Sequence, residues 1–153
     1  MIDLFDDPTA CRMQAPILGF FNEYRFLSNF HLCPCEFNNI IFPSSEHVYM
    51  YQKSFDPEYR TEIIFAPTPK DARNIGQTAI LRRDWNTYRK TAMLNALRSK
   101  FANEPELSML LATSDAYLEE TNTWGDIFWG ICQGKGENNL GKLLMKIRDS
   151  HHE

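Results

Sequence analysis

With 153 residues, 43% of them hydrophobic and 24% charged, the chain has enough material for one globular domain and too little for two. A net charge of −4, with no long block of like charge, argues against extensive wrapping of nucleic acid, which needs many neutralised phosphates. No apolar run approaches the ~18 residues of a membrane helix and no N-terminal stretch has signal-peptide character, so a cytoplasmic protein with no membrane partner is expected.

Residues 1–16 are acidic and irregular, ending at Pro16. ILGFF at 17–21, an apolar run between turn signals, reads as a buried strand. NEYRFLSNF at 22–30 shows no helical period and reads as a loop. Asn38-Asn39, set between HLCPCEF and IIF, predicts a tight hairpin turn, because asparagine tolerates positive φ. After Pro43, Ser44 or Ser45 can cap a helix reaching roughly Phe55. Thr68-Pro69-Lys70-Asp71 is a compact helix start with Gly76 as its stop. From Asp84, the residues Trp85, Tyr88, Met93, Leu97 and Phe101 fall near helical spacing, and Pro105 opens another helix. AYLEE at 116–120 and IFWGI at 127–131 look like strands. CQGKGENN follows as a polar loop, and an amphipathic helix runs from Asn139 to about Asp149. The expected fold class is α+β: one helix-rich domain over 1–153, its core at about 17–149, with small β-sheet elements.

Cys11, Cys33, Cys35 and Cys132 are expected to be reduced. Cys33-Pro-Cys35 lacks the two-residue spacer of zinc and redox pairs and no second pair completes it; His31 and His47 stand alone in the sequence, and His151 and His152 lie at its end. No metal and no cofactor are therefore expected. The Walker, Rossmann, nucleophile-elbow and HExxH templates are all missing.

What remains is a set of polar groups among apolar neighbours. Glu46 and Lys53 in PSSEHVYMYQKS stand seven residues apart, roughly 10 Å along a helix and on one stripe. Such a pair is either solvated at the stripe's edge or faces a pocket. Ser28-Asn29-Phe30, Glu119, Asp126 and Trp129-Gly130 have the same double reading: turn, cap or core on one side, site on the other. Arg82-Arg83 with Arg89-Lys90 is a solvated face or a local basic groove. High aromatic content, with eleven Phe, six Tyr and three Trp, suits either a core or the walls of a pocket for a flat heterocycle.

FFNEYRFLSNF, FPSSEHVYMYQK, DARNIGQ, RRDW, LRSKF and WGICQGKGENNLGKLLMKIR occur here in the order seen in the YbiA-like family, also called NADAR, which the chain resembles from about Phe20 to Arg148. In many members a glycine follows the polar residue of the turn at 38–39, where this chain has Asn-Asn. The resemblance implies a helix-rich α+β fold and an N-glycosidase acting on a riboside. The leading expectation is removal of ADP-ribose from a guanine base in DNA. The alternatives are hydrolysis of phosphoribosylamino-pyrimidine intermediates of riboflavin synthesis, and an ADP-ribose- or NAD-binding module without turnover. On that footing, Glu46 matches the family's S-x-E motif and Lys53 the lysine after it. Glu46, Lys53 and Asp126 become the catalytic candidates. Phe21, Tyr49 and Trp129 are expected to stack on the base. Asn29, Asn138 and Asn139 are expected to orient sugar or phosphate, with Ser28, Phe30, Glu119 and Gly130 as further substrate-binding candidates.

Overall fold

The computed structural model describes residues 14–151. The irregular reading of 1–16 therefore falls mostly outside the described residues, as do Cys11 and His152. The chain divides into two compact units, Arg25–Leu107 and the residues up to Tyr24 together with those from Ser108 onward. Helices dominate and the sheets are small, an α+β fold as expected.

The Arg25–Leu107 unit is built around a hairpin. Strands β2 (Leu32–Phe37) and β3 (Ile40–Ser44) pair antiparallel, with Phe37 opposite Ile40. Asn38 and Asn39 turn between them at φ 56° and 62°, so both central residues are left-handed, as a two-residue hairpin of this hand requires. Ser44 then caps helix α1 (Ser45–Tyr51), its hydroxyl accepting from the His47 amide at 3.2 Å. Helix α1 ends at Tyr51, one turn short of the expected Phe55. The Gln52 and Lys53 amides fold back on the Tyr49 and Met50 carbonyls, a tightened last turn. The Tyr59 hydroxyl, from helix α2 (Pro57–Phe65), donates to the Met50 carbonyl at 2.6 Å and so satisfies a terminal acceptor. Helix α2 has no sequence counterpart above. Its buried side chains are Tyr59 and Ile63, too few to make an apolar period.

Helix α3 (Pro69–Gly76) starts on Thr68, whose Oγ1 accepts from the Asp71 amide at 3.1 Å, with proline in the first turn. Gly76 is its last residue and not a left-handed stop. A Cβ there would lie 2.2 Å from Met50 Sδ, so glycine is present for close approach to α1. Thr68→Ala is expected to lose about 1 kcal/mol of stability through the uncapped amide, read as a lower denaturant midpoint at unchanged slope. Helix α4 (Trp85–Phe101) matches its expected span. Gln52 ties α1 to it: its Nε2 donates to the Val48 and Ala92 carbonyls at 3.0 and 2.9 Å, and its Oε1 accepts from Asn95 at 3.0 Å. Helix α5 (Glu104–Ala112) begins in this unit, which ends at Leu107, and continues into the other.

In the other unit, β1 (Ile17–Leu18) pairs parallel with β4 (Leu118–Glu119). Strands β5 (Thr121–Asn122), β6 (Ile131–Cys132) and β7 (Lys135–Gly136) form a second small sheet. The expected strands at 17–21, 116–120 and 127–131 thus shrink to two-residue pieces. The expected loop at 22–30 instead holds a 3-10 helix over Asn22–Leu27. Gln133 and Gly134, both at positive φ, make the turn of the β6–β7 hairpin, and Lys135-Gly136 is β7 itself. Helix α6 (Asn139–Ser150) buries Leu140, Leu144 and Ile147 as its period requires. Arg148, 3% exposed, anchors it by donating to Thr113 Oγ1 and the Ala116 carbonyl at 3.1 and 2.7 Å.

Candidate active site

In the Arg25–Leu107 unit the structure gathers Glu46, Lys53, Tyr49, Ser28, Asn29 and Phe30. Glu46 lies in the first turn of α1 and is 7% exposed, so the carboxylate is no solvated edge residue. The Glu46 amide donates to the Asn29 carbonyl at 3.2 Å, while Ser45 Oγ donates to Asn29 Oδ1 at 2.8 Å. Asn29, 8% exposed, is thereby fixed against the start of α1. Ser28 Oγ accepts from the Phe30 amide at 3.1 Å, and the Ser28 carbonyl accepts from the fully buried Lys100 Nζ at 2.7 Å. Segment 28–30 is a rigid turn lining the base of α1.

Lys53 sits just past the helix, in the turn that closes it. Its ammonium donates to the Gly76 carbonyl at 3.1 Å and lies 6.0 Å from the Trp85 ring. Burial pulls its pKa below the usual lysine range, and the negative charge of Glu46 partly opposes that. Burial and the same carboxylate raise the Tyr59 phenol. Glu46, Lys53 and Tyr59 therefore share one electrostatic neighbourhood. Tyr49 packs against Trp85 with ring centroids 5.4 Å apart. Trp85, Tyr59 and the Gly76 carbonyl were absent from the sequence-derived set. Trp85 reads as one more apolar residue of a helical stripe, and the other two carry no local signal.

His47, between Ser44 and the C-terminal end of α2, is fully buried. Its Nε2 donates to the Ala66 carbonyl at 2.9 Å and its Nδ1 meets Ser44 Oγ at 2.6 Å, which fixes the neutral tautomer protonated on Nε2. Burial holds its pKa below the ordinary value of 6.5. It is a structural histidine.

A cleft of about 520 Å³ opens beside Lys53, lined by Ser54, Phe55, Asp56 and Ile80 to Asp84. The Arg82 amide donates to the Lys53 carbonyl at 2.8 Å, joining the two walls. The Arg82 guanidinium lies 4.4 Å from the Phe55 ring centroid and 3.7 Å from that of Tyr88, and is held by Asp84 at 2.6 and 3.1 Å. Phe55 is 60% exposed, and the Arg60 guanidinium also lies 5.1 Å from its ring centroid. Arg82 and Arg83, half of the basic cluster read as a solvated face or a local groove, thus line the cleft next to the lysine.

The remaining candidates lie in the other unit, where most have local backbone duties. Asp126 Oδ1 accepts from the Phe128 and Trp129 amides at 3.2 and 2.9 Å, turning the chain into the bend that replaces the expected strand. Asn138, left-handed at φ 52°, accepts from the Glu120 amide at 3.0 Å and donates to the Leu118 carbonyl at 2.9 Å. Asn139 Nδ2 donates to the Phe128 carbonyl at 2.8 Å. Glu119 accepts from Tyr117 at 3.0 Å and from Thr121. Gly130 is needed because a Cβ would stand 2.1 Å from the Glu120 carbonyl oxygen. Trp129, half-buried, meets Phe128 edge to face at 4.7 Å, and Phe21 is 53% exposed.

Residues 18–151 match the NADAR domain model, so the chain belongs to the NADAR family. It is 38% identical over 144 residues to the N-glycosidase YbiA of Escherichia coli, covering 90% of this chain and 89% of that one. An N-glycosidase of Nostoc punctiforme is 35% identical, covering 82% of this chain and 85% of its own. A riboflavin biosynthesis protein of Vibrio vulnificus is 34% identical over 86% of this chain but only 36% of its own length. The solution structure of the Escherichia coli protein YbiA superposes with a TM-score of 0.81 at 37% identity, covering 92% of this chain and 87% of that one. The chain is thus a YbiA-like homologue of hydrolases that act on N-glycosyl compounds. Among the described residues no helix is long and apolar enough to cross a membrane.

Proposed function

We propose that the chain acts as one N-glycosidase domain that hydrolyses a ribose–base bond, with Glu46 and Lys53 as its reacting groups. The observation that carries this reading is the buried carboxylate beside a lysine whose ammonium is disfavoured by burial. Breaking the bond builds positive charge on C1′ and the ring oxygen. The Glu46 carboxylate stabilises that charge or activates water. The neutral Lys53 amine can instead attack C1′: the C1′–N bond breaks and the base leaves with one amine proton, the C1′–O4′ bond then opens as the second amine proton passes to O4′, and water later hydrolyses the resulting imine to release the sugar. Asp126 is kept as a third catalytic candidate through the carboxylate oxygen not committed to Phe128 and Trp129.

The substrate we assign is an ADP-ribosylated guanine in DNA. Arg82 and Arg83 of the cleft next to Lys53 support it, as groups suited to phosphates. Within the Arg25–Leu107 unit Tyr49 would stack and Ser28, Asn29 and Phe30 would contact sugar or phosphate; Phe21, Glu119, Trp129, Gly130, Asn138 and Asn139 are kept as separate substrate-binding candidates of the other unit. The likeness to a riboflavin biosynthesis protein and the net charge of −4 favour a second reading, a phosphoribosylamino-pyrimidine substrate. Assaying free nucleotide against ADP-ribosylated oligonucleotide separates them: base release from the oligonucleotide is expected, and turnover on the nucleotide alone removes the DNA assignment. Tight ADP-ribose binding with no product from either substrate would leave a binding module.

An NMR titration of the lysine Cε signals tests the electrostatics. Lys53 is expected to titrate below 10.5, and Glu46→Gln to move its midpoint lower still, because the carboxylate that favours the ammonium is gone. The folded state disfavours the ammonium, so the penalty is full below the folded pKa and is relieved as pH rises toward 10.5. A Lys53 midpoint at or above the ordinary value removes the nucleophile role.

A further inference from the structure

His31 and Glu106 stand 75 positions apart in sequence, yet His31 Nε2 and Glu106 Oε1 meet at 3.2 Å. Cys33 Sγ completes a cluster in which the three donor atoms lie within 4.8 Å of one another. His31 immediately precedes β2, Cys33 lies on β2 with 7% exposure, and Glu106 lies in the first turn of α5 with 8% exposure. A hydrogen bond accounts for the His–Glu pair and packing accounts for a buried thiol. Neither accounts for an imidazole, a thiol and a carboxylate converging on one point.

Tetrahedral zinc holds nitrogen and oxygen ligands at about 2.0–2.2 Å and sulfur at about 2.3 Å, so neighbouring donors are about 3.3–3.5 Å apart. The imidazole–carboxylate separation of 3.2 Å is within about 0.1 Å of that range. The thiol has at most about 1.3 Å to close from the 4.8 Å limit, within reach of a side-chain rotation on an unmoved strand. We propose that His31 Nε2, Cys33 Sγ and the Glu106 carboxylate form a binding site for a zinc-class divalent cation. The thiolate and imidazole select zinc, cobalt or a similar ion over magnesium or calcium, which prefer oxygen cages. Three protein ligands leave a fourth position, open on the His31 side, whose side chain is 26% exposed against 10% for Glu106. Binding releases the Cys33 thiol proton, and the bound ion ties the start of β2 to the start of α5. The spacing of the cysteines alone argued against a metal; this site uses one cysteine and two residues distant from each other in sequence.

The test uses the full chain, kept reduced and stripped with a chelator, because Cys33 and Cys35 sulfurs are 3.7 Å apart and oxidation would consume the ligand. Titration with cobalt(II) alone is expected to give a thiolate-to-cobalt charge-transfer band in the near ultraviolet, bleached by one equivalent of zinc, and zinc is expected to raise Tm. Cys33→Ser should abolish the band, Glu106→Gln and His31→Gln should each weaken cobalt binding at least tenfold, and Cys132→Ser should change neither. Circular dichroism and melting of each metal-free variant show whether it folds. If Cys33→Ser or Glu106→Gln does not, the half-exposed His31→Gln decides. No band, a band that follows Cys35 or Cys132 instead, or unweakened binding in His31→Gln overturns the site.

Discussion

Glu46→Gln and Lys53→Ala are each expected to lower the rate of base release by about 10²–10⁴, the range for removing a positioned acid–base group or nucleophile. Folding should survive both. Glutamine fills the space of Glu46, and Lys53 is a half-buried side chain beyond the end of α1. Borohydride trapping separates the two roles. A sugar adduct on Lys53 in the parent enzyme, lost in Lys53→Ala, establishes the imine route. Undiminished turnover without trapping leaves direct hydrolysis through Glu46. Collapse of the thermal transition in both variants would make the pair structural.

The second large effect is expected at Gly130, and it concerns stability before chemistry. A Cβ at this position would stand 2.1 Å from the Glu120 carbonyl oxygen and 2.7 Å from Asn122 Nδ2. The first neighbour is backbone and cannot swing aside. The second belongs to a side chain that also donates to the Asp126 carbonyl at 2.8 Å. Gly130→Ala should therefore push β5 from β6 and destabilise the protein by about 1–3 kcal/mol, the range for overpacking. Urea unfolding measures it. A raised KM with an unchanged unfolding midpoint would instead make Gly130 a substrate contact.

Several elements were legible because one local rule decided each. Asn38-Asn39 needed only the tolerance of asparagine for positive φ. Thr68-Pro69 needed only a cap and a proline, and α6 only its apolar period. Where several weak signals had to combine, the reading failed. Helix α2 buries two side chains and shows no stripe. Helix α1 stops early because Tyr59, eight residues past its end, meets the Met50 carbonyl. IFWGI has strand composition, yet Asp126 holds the Phe128 and Trp129 amides in a bend and Ile127 is left 57% exposed. The motifs named Glu46 and Lys53, but their burial is a property of the packed unit. Trp85, Tyr59 and the Gly76 carbonyl come to Glu46 and Lys53 through folding alone, as Glu106 comes to His31.

Every residue of α1, from Ser45 to Tyr51, is buried. A segment enclosed on all sides has no cheap way to open, so its amide hydrogens should exchange with deuterium only when the whole unit unfolds. The proposed catalytic carboxylate thus rides on a slow-exchanging part of the molecule, while Phe55 and Ile80, both more than half exposed, line the neighbouring cleft. Adaptation to different leaving groups would then fall to the cleft wall and leave the carboxylate's position unchanged.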